Sequence, residues 1–223
     1  MKPTDTPAKN EDLLSILIAE DHKLIRKISR QILTDLYPAA VFQETDNVAS
    51  LIEFTKATKF DLMVLDIHLT DGNTLTVLPT IKTIQPDTKI LFFSMCPEDI
   101  YGKRVLHNGA DGFLNKRADE TELKEAVTTI LGGDKYISRK LQRLMADEVI
   151  TKKMNNPFDR LSDREFEVMI LLLQGKSLTD IGTEISVQVS TVGTHKTRLF
   201  EKLNISSLME LSKVAMAYDI VSI

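Results

Sequence analysis

The first 131 residues alternate short apolar runs with longer amphipathic segments. Five of the apolar runs predict β-strands, at residues 14–19, 40–45, 61–66, 89–94 and 112–115. The segments between them have helical spacing. The first segment places Leu24, Ile25, Ile28, Ile32 and Leu36 on one face, and the last carries Leu123, Val127, Ile130 and Leu131 before Gly132 and Gly133. Strands alternating with helices predict an α/β fold, with a five-stranded, doubly wound parallel sheet covered on both faces.

The pattern changes after this α/β part. Residues 132–157 read as a linker with a short helix from 140 to 150, and the remainder is entirely helical. Ser162 and Glu165 form a capping box that opens the first helix, and Gly175 ends it. Further helices are predicted from Ser177, over 189–203 and over 207–218. We therefore predict a flexible tail (1–12), an α/β domain (13–131), a linker (132–157) and a separate all-α helix-turn-helix domain (158–223).

Composition is that of an ordinary globular protein, with 43% hydrophobic and 27% charged residues. No apolar run is long enough to span a membrane, and the polar first twelve residues do not resemble a signal peptide. The single cysteine, Cys96, excludes an intramolecular disulfide and fits the cytoplasm. Residues 157–223 contain seven basic and nine acidic side chains. Any attraction to nucleic acid must therefore come from local clusters of charge.

Polar residues stand at or just beyond the ends of the predicted strands: Glu20, Asp21, Asp66, Ser94 and Lys116. Ligands of such sheets bind outside the carboxyl ends of the strands, so these side chains are expected to converge. Taken singly, an aspartate after a strand is most often a turn residue and a lysine is most often solvated. Because all of these residues occur together, in order and at matching strand ends, a phosphoryl-accepting site is the better interpretation.

Each residue type suits a part of that chemistry. Asp66 would be the nucleophile. Glu20, Asp21 and Asp66, with the backbone carbonyl of His68, would hold Mg²⁺, which prefers oxygen ligands. The Ser94 hydroxyl and the mobile charge of Lys116 would bind the acquired phosphoryl oxygens.

The segments AEDH, LMVLDIHL, ILFFSM and GADGFLNK resemble the receiver domain of response regulators, and the whole chain resembles the NarL/FixJ (LuxR-type) class. The resemblance implies that Asp66 is the phosphoacceptor and Ser94 the switch hydroxyl. It also implies that Phe113 is the switch aromatic, which turns inward on activation. Thr70 and Thr74 depart from the proline and glycine usual at these positions. They predict altered loop geometry and altered phosphorylation or dephosphorylation rates without loss of function.

Residues 161–211 resemble the LuxR-type helix-turn-helix, with a frame of Leu161, Ser162, Arg164, Glu165, Gly175, Thr191, Val192, His195, Lys202 and Leu203. In the third helix, Val192, Leu199 and Leu203 form an expected core face. The opposite face carries Ser190, Gly193, Thr194, Thr197, Arg198 and Glu201. By resemblance, the base-reading positions are Gly193, Thr194 and Thr197. Phosphate contacts are expected from Lys196, Arg198 and Lys202.

Two departures concern this third helix. Gly193 stands where lysine is common, and Gln188 stands where serine or threonine usually caps the helix. The fourth helix is expected to bury Leu208, Leu211, Val214 and Ala215.

These features predict a bacterial two-component response regulator. A sensor histidine kinase would phosphorylate Asp66, and a homodimer, phosphorylated or DNA-bound, would recognise promoter DNA and act on the transcription machinery. One alternative is a phosphorylation-independent DNA-binding regulator whose receiver is an interaction module. The unusual Thr70 and Thr74 suggest this alternative. Another is an enzyme passing through an aspartyl-phosphate. No separate substrate pocket or catalytic domain is recognisable, so we predict that the chain is not an enzyme.

Overall fold

The computed structural model describes residues 13–151, 157–218 and 220. Its strands are, in chain order, β1 (Ser15–Ala19), β2 (Val41–Thr45), β3 (Leu62–Leu65), β4 (His68–Leu69), β5 (Gly72–Asn73), β6 (Lys89–Ser94) and β7 (Gly112–Asn115). Five of them form one parallel sheet in the order β2-β1-β3-β6-β7, whereas β4 and β5 pair as a small antiparallel hairpin. The predicted parallel sheet is confirmed, and every predicted strand bound lies within one residue of the observed one.

Five helices cover the sheet: α1 (Lys23–Leu36), α2 (Val48–Ala57), α3 (Leu78–Ile84), α4 (Glu98–His107) and α5 (Glu120–Leu131). Successive strand residues point to opposite faces. Leu17 and Met63 therefore enter the core on one face, and Ile16 and Leu62 enter the core on the other. The sheet is buried on both sides, as its apolar strands predict.

The apolar face predicted for α1 is wrong at two positions. Leu24 is 68% exposed and Ile28 is 47% exposed. The buried side instead carries Ser29 and Leu33, with Ile25 packed beside them. From Ile25, the buried face of the helix could continue through either Ile28 or Ser29. The position of α1 against α5 decided that Ser29 is the buried residue.

The end of α5 agrees with prediction, whereas its start shows a feature that was not predicted. Asp119 and Glu122 form a capping box at the start. The helix ends at Leu131, and Gly133 follows with φ of 101°. Glycine adopts this left-handed conformation without steric cost, so the helix stops at this point.

The region predicted as a linker packs against the α/β domain. Tyr136 forms an isolated parallel bridge with Gly112 of β7. The predicted helix is present as α6 (Arg139–Thr151), and Leu141 on it is fully buried against α4. A Cβ on Gly102 of α4 would lie 2.8 Å from Leu141 Cδ2, so any larger residue at this position would force the Leu141 side chain to shift.

The C-terminal region forms a short 3₁₀ turn (Pro157–Arg160) followed by α7 (Asp163–Leu173), α8 (Leu178–Glu184), α9 (Val189–Leu203) and α10 (Leu208–Ala217). All four predicted helices are present. The Ser162–Glu165 capping box is confirmed, as is the stop at Gly175, whose φ is 79°. Six apolar residues of this part are fully buried and belong to the same hydrophobic cluster as Tyr101 of α4: Val168, Met169, Ile181, Val192, Leu199 and Leu211.

The burial predicted for the last two helices is observed in α9 and only in part in α10. Val192 and Leu199 of α9 are buried as expected, and Gln188 provides no side-chain cap. The burial predicted for Leu208 is wrong, because its side chain is 44% exposed at the start of α10, whereas Leu211 faces the core.

The predicted tail, residues 1–12, lies outside the described residues. Within the described part of the chain, every helix is too short or too polar to cross a membrane.

Candidate functional site

The candidate site lies where the sheet changes winding direction. Strand β1 has β2 on one side and β3 on the other, so the loops after β1 and β3 leave toward opposite faces and open a crevice. Glu20 follows β1, and its backbone N–H donates to Thr45 O at 2.9 Å. Asp66 follows β3, and its N–H donates to Ala19 O at 2.8 Å. The sheet itself thus places the two carboxylates side by side.

Four side chains converge in this crevice: Glu20, Asp21, His22 and Asp66 each offer a ligand atom within 4.8 Å of the others. Glu20 and Asp66 are buried. Oxygen donors from carboxylates are the ligands that Mg²⁺ prefers. The predicted acidic residues are therefore brought together, and their chemistry fits that ion.

Lys116 bridges the two buried carboxylates. Its Nζ lies 2.5 Å from Glu20 Oε2 and 2.5 Å from Asp66 Oδ2, and its side chain is almost fully buried. The ammonium offsets part of the repulsion between the acids. Burial nevertheless raises the pKa of Glu20; the Lys116 hydrogen bond opposes that increase, and the nearby Asp66 charge adds to it.

Ser94 and Phe113 lie behind this pocket on neighbouring strands. Ser94 ends β6 and is buried, and its backbone carbonyl accepts the Lys116 N–H at 3.0 Å. Phe113 on β7 is fully buried. The aromatic ring therefore lies inward in this structure, and its role as the switch aromatic stays a prediction.

Cys96 behaves as a packing residue. It is half-buried, and burial raises the pKa of its thiol to about 11. A thiol with this pKa remains protonated near neutral pH.

The loop after Asp66 is held by the two threonines that depart from the family pattern. Thr70 donates to Asp46 O from both its N–H, at 3.2 Å, and its hydroxyl, at 2.9 Å. The buried Thr74 hydroxyl donates to Asp66 O at 2.5 Å. Proline at position 70 would lack both the N–H and the hydroxyl, and glycine at position 74 would lack the hydroxyl. His68 begins the β4–β5 hairpin in this loop, and the metal-binding role of its carbonyl stays a prediction.

The outward face of α9 is open to solvent. Thr194, Thr197 and Arg198 are exposed, and a Cβ on Gly193 would meet no atom within 4 Å. The Thr194 hydroxyl donates to Ser190 O, and the Thr197 hydroxyl donates to Gly193 O, each at 3.1 Å. Since their hydrogens are already used, both hydroxyls are left with acceptor capacity, and the methyl groups remain for apolar contact.

Two of the predicted phosphate-binding lysines have contacts within the helical domain. Lys196 Nζ lies 5.4 Å from the centre of the Phe200 ring. Lys202 Nζ lies 2.6 Å from Oε2 of the buried Glu165, the capping-box residue of α7. The capping box was recognised in the sequence, but this pairing was not, because it joins residues distant along the chain.

Sequence reasoning also missed contacts between the two folded regions. Asn73 in the loop after Asp66 bonds to Glu167 on α7 at 2.8 Å. Arg104 on α4 lies 3.3 Å from Asp163. Burial lowers the pKa of Arg104 and raises that of Asp163, although each charge opposes the effect of burial on the other. No local pattern in the sequence signals these pairs.

Comparison with known proteins gives matches to both regions. Residues 16–128 match the model of the response regulator receiver domain, and residues 159–215 match that of bacterial regulatory proteins of the LuxR family. The chain is 28% identical to the response regulator GacA of Pseudomonas viridiflava over 210 residues, covering 94% of this chain and 98% of GacA. It is 30% identical to the Fimbriae Z protein of Salmonella typhimurium over 206 residues, covering 92% and 98%.

A solved structure shares the fold. RcsB from Salmonella enterica serovar Typhimurium, bound to promoter P1flhDC in the presence of the phosphomimetic BeF₃⁻, superposes with a TM-score of 0.63 at 21% identity. The match covers 92% of this chain and 98% of the RcsB chain.

Proposed function

The chain belongs to the response regulators that join a receiver domain to a LuxR-type DNA-binding domain, and we propose that phosphorylation of Asp66 controls its binding to promoter DNA. The proposed division is a receiver over 13–131, a linker over 132–157 and a DNA-binding domain over 158–223. It is compatible with the two regions matched by the family models.

The carboxylate cluster at the switch point of the sheet, bridged by Lys116, carries this proposal. In the proposed reaction, an oxygen of the Asp66 carboxylate attacks the phosphorus of the donor, and the bond from phosphorus to the leaving group breaks. Glu20, Asp21 and Asp66, with the His68 carbonyl, would hold Mg²⁺. The ion would neutralise charge on the transferring group.

The groups around the pocket would bind the new phosphoryl group. Lys116 already touches Asp66 and can follow the added charge, and the Ser94 hydroxyl can donate to a phosphoryl oxygen. Phe113 is already buried, so its expected part in switching is a change of packing within the core.

The exposed face of α9 is the proposed DNA-reading surface. Gly193, Thr194 and Thr197 would face base edges in the major groove. Lys196, Arg198 and Lys202 would contact phosphates, and Lys202 would do so at the expense of its bond to Glu165. Binding as a homodimer to a two-fold site is proposed by analogy with RcsB, which shares the fold and has been solved as dimers bound to DNA.

The remaining partners follow from the family. We propose that a sensor histidine kinase donates the phosphoryl group, and that the DNA-bound protein acts on the transcription machinery in the cytoplasm. The receiver and LuxR-type domains support this assignment.

The test is the intact-protein mass after incubation with acetyl phosphate, with and without Mg²⁺. Wild type should gain one phosphoryl group only with the metal, and Asp66→Ala should gain none while remaining folded. Asp87→Ala is the matched control, because Asp87 is an exposed aspartate that precedes β6, at the opposite end of the strands. A phosphoryl group on a histidine or serine would contradict the site.

The same incubation separates the alternatives. No adduct on a folded wild type would favour the phosphorylation-independent regulator. Multiple-turnover release of phosphate from acetyl phosphate would instead indicate an enzyme.

A further inference from the structure

The DNA-binding domain contacts the loop that follows Asp66. Asn73 Nδ2 donates to Glu167 Oε1 at 2.8 Å across 94 positions of sequence. Both side chains are buried, at 2% and 3% exposure. The other carboxylate oxygen of Glu167 accepts from Arg164 at 2.9 Å. Each oxygen of this buried carboxylate therefore has a donor, and one of the two donors comes from the receiver.

The same loop is bonded to the phosphoacceptor. The Thr74 hydroxyl donates to Asp66 O at 2.5 Å, and the Thr74 N–H donates to Ile67 O at 2.8 Å. Asn73 is itself fixed, because its Oδ1 accepts the Leu75 N–H at 2.9 Å. Two adjacent residues, Asn73 and Thr74, thus join the backbone of Asp66 to a carboxylate of the other domain.

A second contact holds the domains beside this loop. The guanidinium of Arg104 on α4 donates to Leu161 O at 3.0 Å and lies 4.3 Å from the centre of the Phe166 ring. Tyr101, one turn earlier on α4, meets the same ring edge to face at 5.6 Å. Tyr101 and Arg104 of the receiver therefore pack around Phe166 and hold α7 against α4.

These contacts leave the proposed DNA-reading face free. They involve α7 and the residues just before it, while Thr194, Thr197 and Arg198 on α9 are exposed. The interface can therefore affect DNA binding through the position of the domain and through the receiver loop, and it does not act by covering α9.

Because the Glu167 carboxylate is buried, the contact between the domains depends on the position of the loop that follows Asp66. A buried charge is stable only while its hydrogen-bond partners are in place. Any movement of the Asp66 loop that withdraws Asn73 removes one partner of Glu167. Separation of the domains instead lets water replace Asn73.

Building on the proposed function, we propose that Asn73 and Thr74 couple Asp66 to the DNA-binding domain. Thr74 is a positioning residue for Asp66, and Glu167 is the residue through which the DNA-binding domain holds the loop. In this structure the connection coexists with a pocket in which both Asp66 oxygens have donors, the Ile67 N–H to Oδ1 at 2.7 Å and Lys116 Nζ to Oδ2 at 2.5 Å. A phosphoryl group on either oxygen displaces one of these donors and so disturbs the loop that Asn73 and Thr74 connect to Glu167. The contact therefore favours the free carboxylate, and phosphorylation and domain contact oppose one another.

The first test measures binding of beryllium trifluoride, a phosphoryl mimic, by calorimetry of the full chain in Mg²⁺. Glu167→Ala should bind the mimic about fivefold more tightly or better, because it removes an interaction that favours the unmodified state. Its radius of gyration in solution should also increase. Glu184→Ala is the matched control, since Glu184 pairs with Lys176 inside the DNA-binding domain, and it should match wild type.

The second test asks whether Thr74 carries the coupling. Thr74→Val keeps the volume and removes the hydroxyl, so Glu167→Ala should change affinity less than about twofold in that background. Thr74→Ser retains the donor and should restore the full effect of Glu167→Ala. A role of Thr74 in folding alone would leave the effect of Glu167→Ala the same in all three backgrounds.

The outcomes separate the two proposals. If wild type binds no mimic and gains no phosphoryl adduct, the proposed function fails and the coupling fails with it. If wild type binds the mimic and Glu167→Ala binds it equally well or more weakly, the coupling alone is overturned. Should Glu167→Ala misfold, Arg104→Ala opens the same interface from the receiver side and carries the same expectation of tighter binding.

Discussion

The acidic pocket and the outward face of α9 present their functional residues in opposite ways. In the pocket, Glu20, Asp66 and Lys116 are buried and bonded to one another. On α9, Thr194 and Thr197 are exposed, and their hydroxyls bond only to backbone carbonyls of their own helix. The pocket is a network in which each group depends on the others, whereas the α9 face is a row of independent side chains.

This difference predicts two kinds of response to mutation. Removing one member of the pocket leaves a buried charge without its partner, which affects stability as well as chemistry. Removing one side chain from α9 leaves the fold almost unchanged and alters what the surface binds.

The largest effect is expected from Lys116→Met, which keeps the length of the side chain and removes its charge. Two buried carboxylates then lose their shared cation, and the free energy of unfolding should fall by about 3–5 kcal/mol. Added Mg²⁺ should restore part of the loss, because the ion would neutralise the same acids. Urea unfolding with and without Mg²⁺ measures both effects.

Lys27→Met is the control for that substitution. Lys27 is exposed on α1, so its loss should change the unfolding free energy by no more than about 0.5 kcal/mol, with no response to Mg²⁺. Equal behaviour of the two variants would show that the pocket is not a coupled network.

An intermediate effect is expected on α9. Thr197→Ala should weaken binding to the preferred DNA site by about 1–3 kcal/mol while leaving non-specific binding unchanged, because it removes a proposed base contact. Lys196→Ala should weaken binding to all sequences and reduce the salt dependence. Fluorescence anisotropy on specific and random duplexes at several salt concentrations measures these differences. Equal losses on both duplexes for Thr197→Ala would place base reading on another face.

The smallest effect is expected from Gly193→Ala. Nothing lies within 4 Å of the added Cβ, so the substitution should stabilise α9 by up to about 1 kcal/mol through helix propensity alone. Urea unfolding should show the gain. Gly182→Ala is the contrasting control, since its Cβ would lie 2.9 Å from Val187 O and should destabilise the protein.

Local patterns in the sequence predicted most of the elements. The strand runs and the helix ends at Ser162, Gly133 and Gly175 were identified because alternation, capping and left-handed glycine act over a few residues. The errors at Leu24, Ile28 and Leu208 have one cause. Helical periodicity shows that a helix has an apolar side, but the neighbouring elements decide which part of that side is covered.

The candidate site divides in the same way. The set of Glu20, Asp21, Asp66, Ser94 and Lys116 could be read from the chain, because parallel strands carry their carboxyl ends to one edge. Thr70 and Thr74 were recognised only as departures. Their role as donors became visible once the loop placed Thr74 against Asp66 O and Thr70 against Asp46 O.

By itself, the sequence determined the two domain types, the order of the elements and the residues available for chemistry, since these depend on local periodicity and on residue type. Only the tertiary structure decided that Lys116 bridges two acids and that Asn73 reaches Glu167. It also decided that α6 packs on α4. Such contacts join residues distant along the chain, and their formation depends on packing and desolvation that no local pattern records.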